Sequence, residues 1–196
     1  MRAVRQCVAA LLAVAGAAGC ASAGNATTVA ARGSGANLAR NGDFEAAPVP
    51  GRDCPASWWC SMHSDTGSFR FSLDADAGSN GRFLRVTRVK DEPWALATQI
   101  ISANVPVGAR VKMTVAVGGE GLEGAAGPAI MLHGVGGRVI DHRQTLLARG
   151  PGWRRASAEI EMIPGVLQVE IGLLLEGGGT VGFDDVEVSV LPPVRR

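Results

Sequence analysis

The sequence predicts an all-β domain, a sandwich or a barrel, on three observations. Apolar residues recur with a period of two along short stretches, most clearly at Val111, Met113, Val115 and Val117, and again from Leu167 through Leu175. Turn residues punctuate these stretches at short intervals, and glycine is plentiful at 27, as a chain of many tight turns requires. No stretch carries a convincing helical period. The 196 residues suffice for one domain with a real core.

Residues 1–19 read as a secretory signal. Arg2 and Arg5 give a basic start, and Val8 to Ala18 is apolar but too short to span a membrane. Ala17-Ala-Gly-Cys20 follows and resembles a bacterial lipobox, in which the cysteine is lipidated and becomes the mature N-terminus. Ordinary cleavage after Ala21-Ser-Ala23 is the competing reading. Residues 20–36 are small and polar without periodicity, the composition of a flexible tether.

From Asn37 the pattern turns strand-like. Asn37 to Glu45 reads as a short first strand, and Ala46 to Thr66 as a long irregular segment carrying two cysteines and Trp58-Trp59. Phe69, Phe71 and Leu73 alternate. Asp74 to Gly81 is a turn, because Arg85 stands where a calcium loop needs a bidentate Glu. Arg82 to Val89 and Ala95 to Ala103 are strands flanking the loop Asp91-Glu-Pro-Trp94, and Val111 to Val117 is the clearest amphipathic strand. Ala129 to His133 and Arg138 to His142 are short strands about the Gly134–Gly137 turn. Ala156, Ala158, Ile160 and Met162 point inward, with Glu159 and Glu161 outward. Leu167 to Leu175 alternates as well. The last strand, Gly179 to Val190, slips phase. Val181 and Phe183 have one parity, and Val186, Val188 and Val190 the other, so a β-bulge is predicted at Asp184-Asp185. Carboxylates at a core rim need a partner, a hard cation or an arginine. Pro192-Pro193 ends the ladder, leaving residues 192–196 as a tail.

Composition excludes several classes. Removing Arg2 and Arg5 with the signal takes the net charge from +1 to −1, and charges are interspersed, so nothing favours nucleic acid. No nucleophile motif, P-loop or dinucleotide fingerprint is present, so no enzyme is predicted. Glu120 and Glu123, in a Gly-rich loop, read as solvated. His133 and His142 could approach across a hairpin, but no metal-ligand spacing supports a site there. Cys54 and Cys60 are the only pair in the exported domain, and an oxidising compartment predicts a disulfide between them. It would hold the two intervening tryptophans in one orientation.

Asn37-Leu-Ala-Arg-Asn-Gly-Asp-Phe-Glu45 resembles the opening of the β-jelly-roll carbohydrate-binding modules found beside bacterial glycanases. Trp94 with Gln99-Ile100-Ile101, Pro106-Val-Gly108, Gly152-Trp153, Pro164-Gly165 and the close Val181-Gly-Phe-Asp-Asp-Val-Glu-Val188 fit the same family in order and spacing. The resemblance covers residues 37–191. It implies a two-sheet antiparallel jelly-roll sandwich of the galactose-binding-like kind. It also implies a structural calcium between the first and last strands, at Glu45 and Asp185 with Asp43 and Asp184 as neighbours; the bland alternative pairs Asp185 with Arg40 or has it cap a bulge. Sugar binding in such modules stacks pyranose rings on aromatics. The available platforms are Trp58, Trp59 and Trp94, with one of the adjacent pair facing in and the other out. Trp153 is expected in the core.

The expected protein is therefore a monomeric, lipid-anchored, non-catalytic module. It binds poly- or oligosaccharide; by resemblance to bacterial lipoproteins, Ala21 rather than Asp after Cys20 implies the outer membrane, the alternative being a periplasmic or secreted protein. The absence of tyrosine keeps an alternative open, a structural or protein-binding envelope lipoprotein with no sugar site.

Overall fold

In the computed structural model, which describes residues 36–75, 81–101 and 104–193, the alternating stretches form eleven antiparallel strands. They are β1 (Trp59–Met62), β2 (Phe69–Ala75), β3 (Arg82–Arg88), β4 (Trp94–Ile101), β5 (Arg110–Gly118), β6 (Ala125–His133), β7 (Val139–Gln144), β8 (Leu147–Ala148), β9 (Trp153–Glu161), β10 (Gln168–Glu176) and β11 (Thr180–Leu191). One sheet has the order β1-β4-β10-β6-β7, with β8 also on β6. The other has the order β2-β3-β11-β5-β9. This is the predicted two-sheet jelly-roll sandwich. Residues 1–35, and with them Cys20, lie outside the described residues, as does residues 76–80 of the turn that follows β2.

The core lies between the sheets and is built by the period-two pattern. Val111, Met113, Val115 and Val117 of β5 are fully buried, against Phe183 and Val188 of β11 and Ile171, Leu173 and Leu175 of β10. The inward set of β9 is as predicted, and Val190 at the end of β11 is exposed. The phase slip is real: pairing of β11 with β5 shifts register between Asp184 and Glu187, and Asp185 takes φ +50°.

The segment Asn37–Glu45 does not form the expected strand. Its asparagines substitute for a ladder. The Asn37 side-chain oxygen accepts from Val188 N–H, its amide donates to the Val186 carbonyl, and Leu38 N–H donates to the Val188 carbonyl. Asn41 and Phe44 sit at positive φ, which no strand allows. Gly42 lies so close to β11 that a Cβ would stand 2.3 Å from the Val186 oxygen.

A buried glutamine ties this segment to the sandwich. Gln99 has the inward parity of Ala97 and Ile101 and is 4% exposed. Its amide donates to the carbonyls of Arg40 (2.9 Å) and Ser57 (3.0 Å), and its oxygen accepts from Arg40 N–H (2.7 Å). Gln99→Leu would leave three backbone groups unpaired. We expect it to lower stability in urea denaturation by roughly 2–4 kcal/mol; a change under about 0.5 kcal/mol would mean water replaces the amide.

Candidate functional site

The outward face of the six-stranded sheet carries the exposed tryptophan. Trp59 opens edge strand β1 opposite Thr98 of β4, and directly opposed residues share a face. Trp94 opens β4 four residues earlier, with the same parity. At about 3.3 Å per residue, Trp94 stands roughly 13 Å along the sheet from the Trp59–Thr98 row. Between and beside them lie Leu96, Thr98 and Gly172, and farther across the face Ala129 and Met131. At the centre of this face the Leu96 and Met131 side chains lie over Gly172.

Trp59 is 67% exposed, with the Arg52 guanidinium 5.9 Å from its ring centroid. Trp94 is half-buried, edge-on to His63 at 5.9 Å. His63 Nδ1 lies 3.0 Å from Glu92, and the Ser64 hydroxyl donates to Glu92 at 2.7 Å. The Ser64 hydrogen bond, and then His63, hold the Glu92 carboxyl below its ordinary value. Farther across, His133 pairs with Glu170 (2.7 Å) and Gln144 donates to Glu176 (3.4 Å). His133 and His142 do not meet as ligands: His142 stands opposite Met131, and the His133 ring is committed to Glu170 and the Gly137 carbonyl.

Trp58 is not a platform. It is 2% exposed, its ring packs against Phe44 at 5.6 Å, and its indole N–H donates to the Asn41 carbonyl (3.1 Å). Adjacent residues face opposite ways, so burying Trp58 presents Trp59. Trp153 departs from expectation too. It lies half-buried on the outward face of the five-stranded sheet rather than between the sheets.

Cys54 and Cys60 are bridged, with Cα atoms 5.6 Å apart. The loop is short, so removing the bridge is expected to cost only about 2 kcal/mol. The larger expected effect of Cys54→Ser/Cys60→Ser is on Trp59, whose accessibility to acrylamide should become heterogeneous. Unchanged quenching would show that β1 pairing alone holds the ring.

The β11 bulge gathers four carboxylates. Asp185 pairs with Arg155 (3.1 Å), not with Arg40. Glu45 is held by Arg82, through its backbone N–H and its guanidinium, and Asp43 accepts from Glu45 N–H (3.3 Å). Asp184 is 3% exposed, and its oxygen accepts from Asp185 N–H at 2.7 Å. Burial pushes its pKa from 3.8 to about 6; repulsion from Asp185, Glu45 and Asp43 adds to this, and the Asp185 N–H opposes it. The donor set is all oxygen, as a hard cation requires, and Asp184 takes part in none of the ion pairs among the described residues. Among those residues no three His, Cys, Asp or Glu side chains close on one point, because Glu45 and Asp185 have turned to arginines.

A raised carboxylate destabilises when it ionises. The folded protein holds the Asp184 proton more tightly than the unfolded chain, so this stabilisation is complete below about pH 4 and is lost as pH rises through about 6. In EDTA, Asp184→Asn should match the parent near pH 4 and exceed it by roughly 2–3 kcal/mol above pH 7. A difference that stays flat across urea melts from pH 4 to 8 would remove this account.

No protein-family model matches this sequence, and no curated protein matches it. Solved structures do match. The fold is that of the β-jelly-roll carbohydrate-binding modules. A xylan-binding domain of the CBM22 kind superposes with TM-score 0.56 over 82% of this chain and 99% of that one, at 13% identity. The TmCBM61 module, solved with β-1,4-galactotriose, gives 0.50 over 79% and 99%, at 17% identity. The enzymatically active domain of tailspike protein 4 from bacteriophage CBA120 gives 0.63 at 15% identity over 79% of this chain; the match spans 21% of the tailspike chain.

Proposed function

We propose that this chain is a non-catalytic carbohydrate-binding module that takes an oligosaccharide across the outward face of the six-stranded sheet, between Trp59 and Trp94. The observation that carries the reading is Trp59, a large aromatic left 67% exposed on a disulfide-bounded strand. An aromatic ring with Arg52 beside it, and a second with His63 and Glu92 nearby, offer stacking to a sugar ring and hydrogen bonds to its hydroxyls. Two of the similar structures have xylan or β-1,4-galactotriose in their names, which favours neutral β-linked glycans as first probes. The test is acrylamide quenching of the parent and of Trp59→Phe and Trp94→Phe, with and without polysaccharide. Protection that disappears in these variants supports the reading. Quenching unaffected by xylan, galactan and glucan alike overturns it.

Lipid on Cys20 would place the module on the cell envelope, with the outer membrane as its destination. Mass spectrometry of the N-terminal peptide tests this, since an unmodified chain beginning after Ala23 would refute it. Calcium is proposed with Asp184 as the anchoring ligand and Asp43 beside it, Glu45 or Asp185 exchanging its arginine for the ion. It would supply the positive partner that Asp184 does not have among the ion pairs of the described residues. Calcium should then raise the melting temperature of the parent at pH 7.5 and leave Asp184→Asn unmoved. Equal responses would refute the site. The protein-binding alternative draws on Val135, Val139, Ile140 and Leu167, exposed around the β6–β7 turn. It gains ground only if the quenching test fails.

A further inference from the structure

The outward face of the five-stranded sheet holds a second groove, and none of its residues takes part in the site proposed above. Trp153 of β9 stands beside Gly118 of β5, which stands beside Gly182 of β11. The indole lies over both glycines: a Cβ on Gly182 would sit 2.7 Å from the ring, and one on Gly118 3.2 Å. Phe83 of β3 meets the indole edge-to-face at 5.2 Å. The Arg85 guanidinium lies 5.2 Å from the Phe83 centroid and pairs with Asp74. Beside these rings opens a cavity of about 440 Å³, whose walls include Glu120 and Thr180. A second cavity, of about 360 Å³, has Arg88, Lys90, Asp91 and Glu123 in its walls, and Thr180 again. Thr180 is the shared wall, so the two cavities adjoin and run from an aromatic end to a polar end.

We propose that this groove is a second carbohydrate-binding site, for a neutral oligosaccharide lying along it with one ring against Trp153. The inference rests on the carbohydrate reading of the first face. The chemistry is that of sugar recognition: an aromatic surface for the apolar face of a pyranose, with fixed carboxylates, guanidinium groups and a hydroxyl for its alcohols. Much of the polar set is held before any ligand arrives. Glu120 accepts from Gly152 N–H (2.9 Å), the Thr180 and Thr87 hydroxyls hydrogen-bond (3.1 Å), and Arg88 pairs with Asp91 (3.3 Å). Arg85, Arg88 and Lys90 are paired with Asp74, Asp91 and Asp65, and Glu120 and Glu123 take part in no ion pair among the described residues. With every wall cation already paired and two carboxylates left over, the groove favours a neutral glycan over an acidic one.

The test is amide chemical-shift mapping of the isotope-labelled chain, titrated in turn with xylohexaose, cellohexaose and β-1,4-galactotriose. It is run on the parent and on Trp59→Ala/Trp94→Ala. The groove is supported if amides of Gly118, Gly121 and Thr180 and the Trp153 indole shift in both proteins. Gly121→Trp, at a backbone position open to any residue, should then weaken those shifts by about tenfold in affinity and leave Thr98 shifting as before. Glu123→Ala, an exposed change in the polar cavity, repeats the test should Gly121→Trp not fold. Shifts confined to the Trp59–Trp94 face overturn the groove and leave the first site standing. Groove shifts that vanish in Trp59→Ala/Trp94→Ala also overturn it, since they would be transmitted from the first face. No shifts on either face with any probe would overturn both.

Discussion

Alanine at both Trp59 and Trp94 is expected to weaken glycan binding by about 100-fold, to the edge of detection by calorimetry. Among the described residues each ring is the only tryptophan or phenylalanine at its end of the face, so no neighbouring platform takes over the stacking. Losing an aromatic anchor commonly costs more than about 1 kcal/mol; at about 1.4 kcal/mol each, a factor of 10, two rings far enough apart to act nearly independently multiply to about 100-fold. The fold should survive. Trp59 is largely in water, and Trp94 is half-buried at the start of β4, edge-on to His63. The double variant should therefore melt within a few degrees of the parent. Trp58→Ala is the contrast. It removes a buried ring and an indole hydrogen bond to the Asn41 carbonyl, so it should cost about 3–5 kcal/mol of stability. If Trp59→Ala/Trp94→Ala binds glycan as the parent does, the ligand does not lie on this face.

Phe183→Ala is expected to destabilise the domain by about 3–5 kcal/mol, a large part of the stability of a domain this size. Phe183 is fully buried in β11, opposite Leu84 of β3 and Val117 of β5, one residue before the bulge. These neighbours belong to paired strands and cannot collapse into the space without breaking register, so a cavity should remain. The loss should appear in urea denaturation as a lower midpoint with an unchanged slope. A cost under about 1.5 kcal/mol would mean that the two sheets close over the gap.

Much of this architecture is written in the residue order. The period of two along β5, β9 and β10 identified the strands and their inward residues, because side-chain alternation is a local property of extended backbone. The slip from Phe183 to Val186 marked the bulge on the same grounds. Cys54 and Cys60, the only cysteines beyond Cys20, identified the disulfide. The ordered motifs from Asn37 to Val188 pointed to the jelly roll.

What failed was anything set by contacts distant in sequence. Asn37–Glu45 looked like a strand because its apolar spacing is compatible with one. The Asn37 side chain instead bonds β11 about 150 residues away, which no local pattern reveals. Gln99 has the inward parity of an apolar residue and gave no sign that it would satisfy Arg40 and Ser57. Trp58 and Trp59 were expected to divide inward and outward, but only the packing of Phe44 and the Asn41 carbonyl decided which was buried. Trp153 is aromatic and precedes a strand, which reads as core. It lies outside because Gly118 and Gly182, 64 residues apart in the chain, are brought side by side by the β5–β11 register and leave room for one ring. Periodicity along the chain determined the strands and their inward faces. Register between strands, a sum of many distant contacts, decided which surfaces were left open to a ligand.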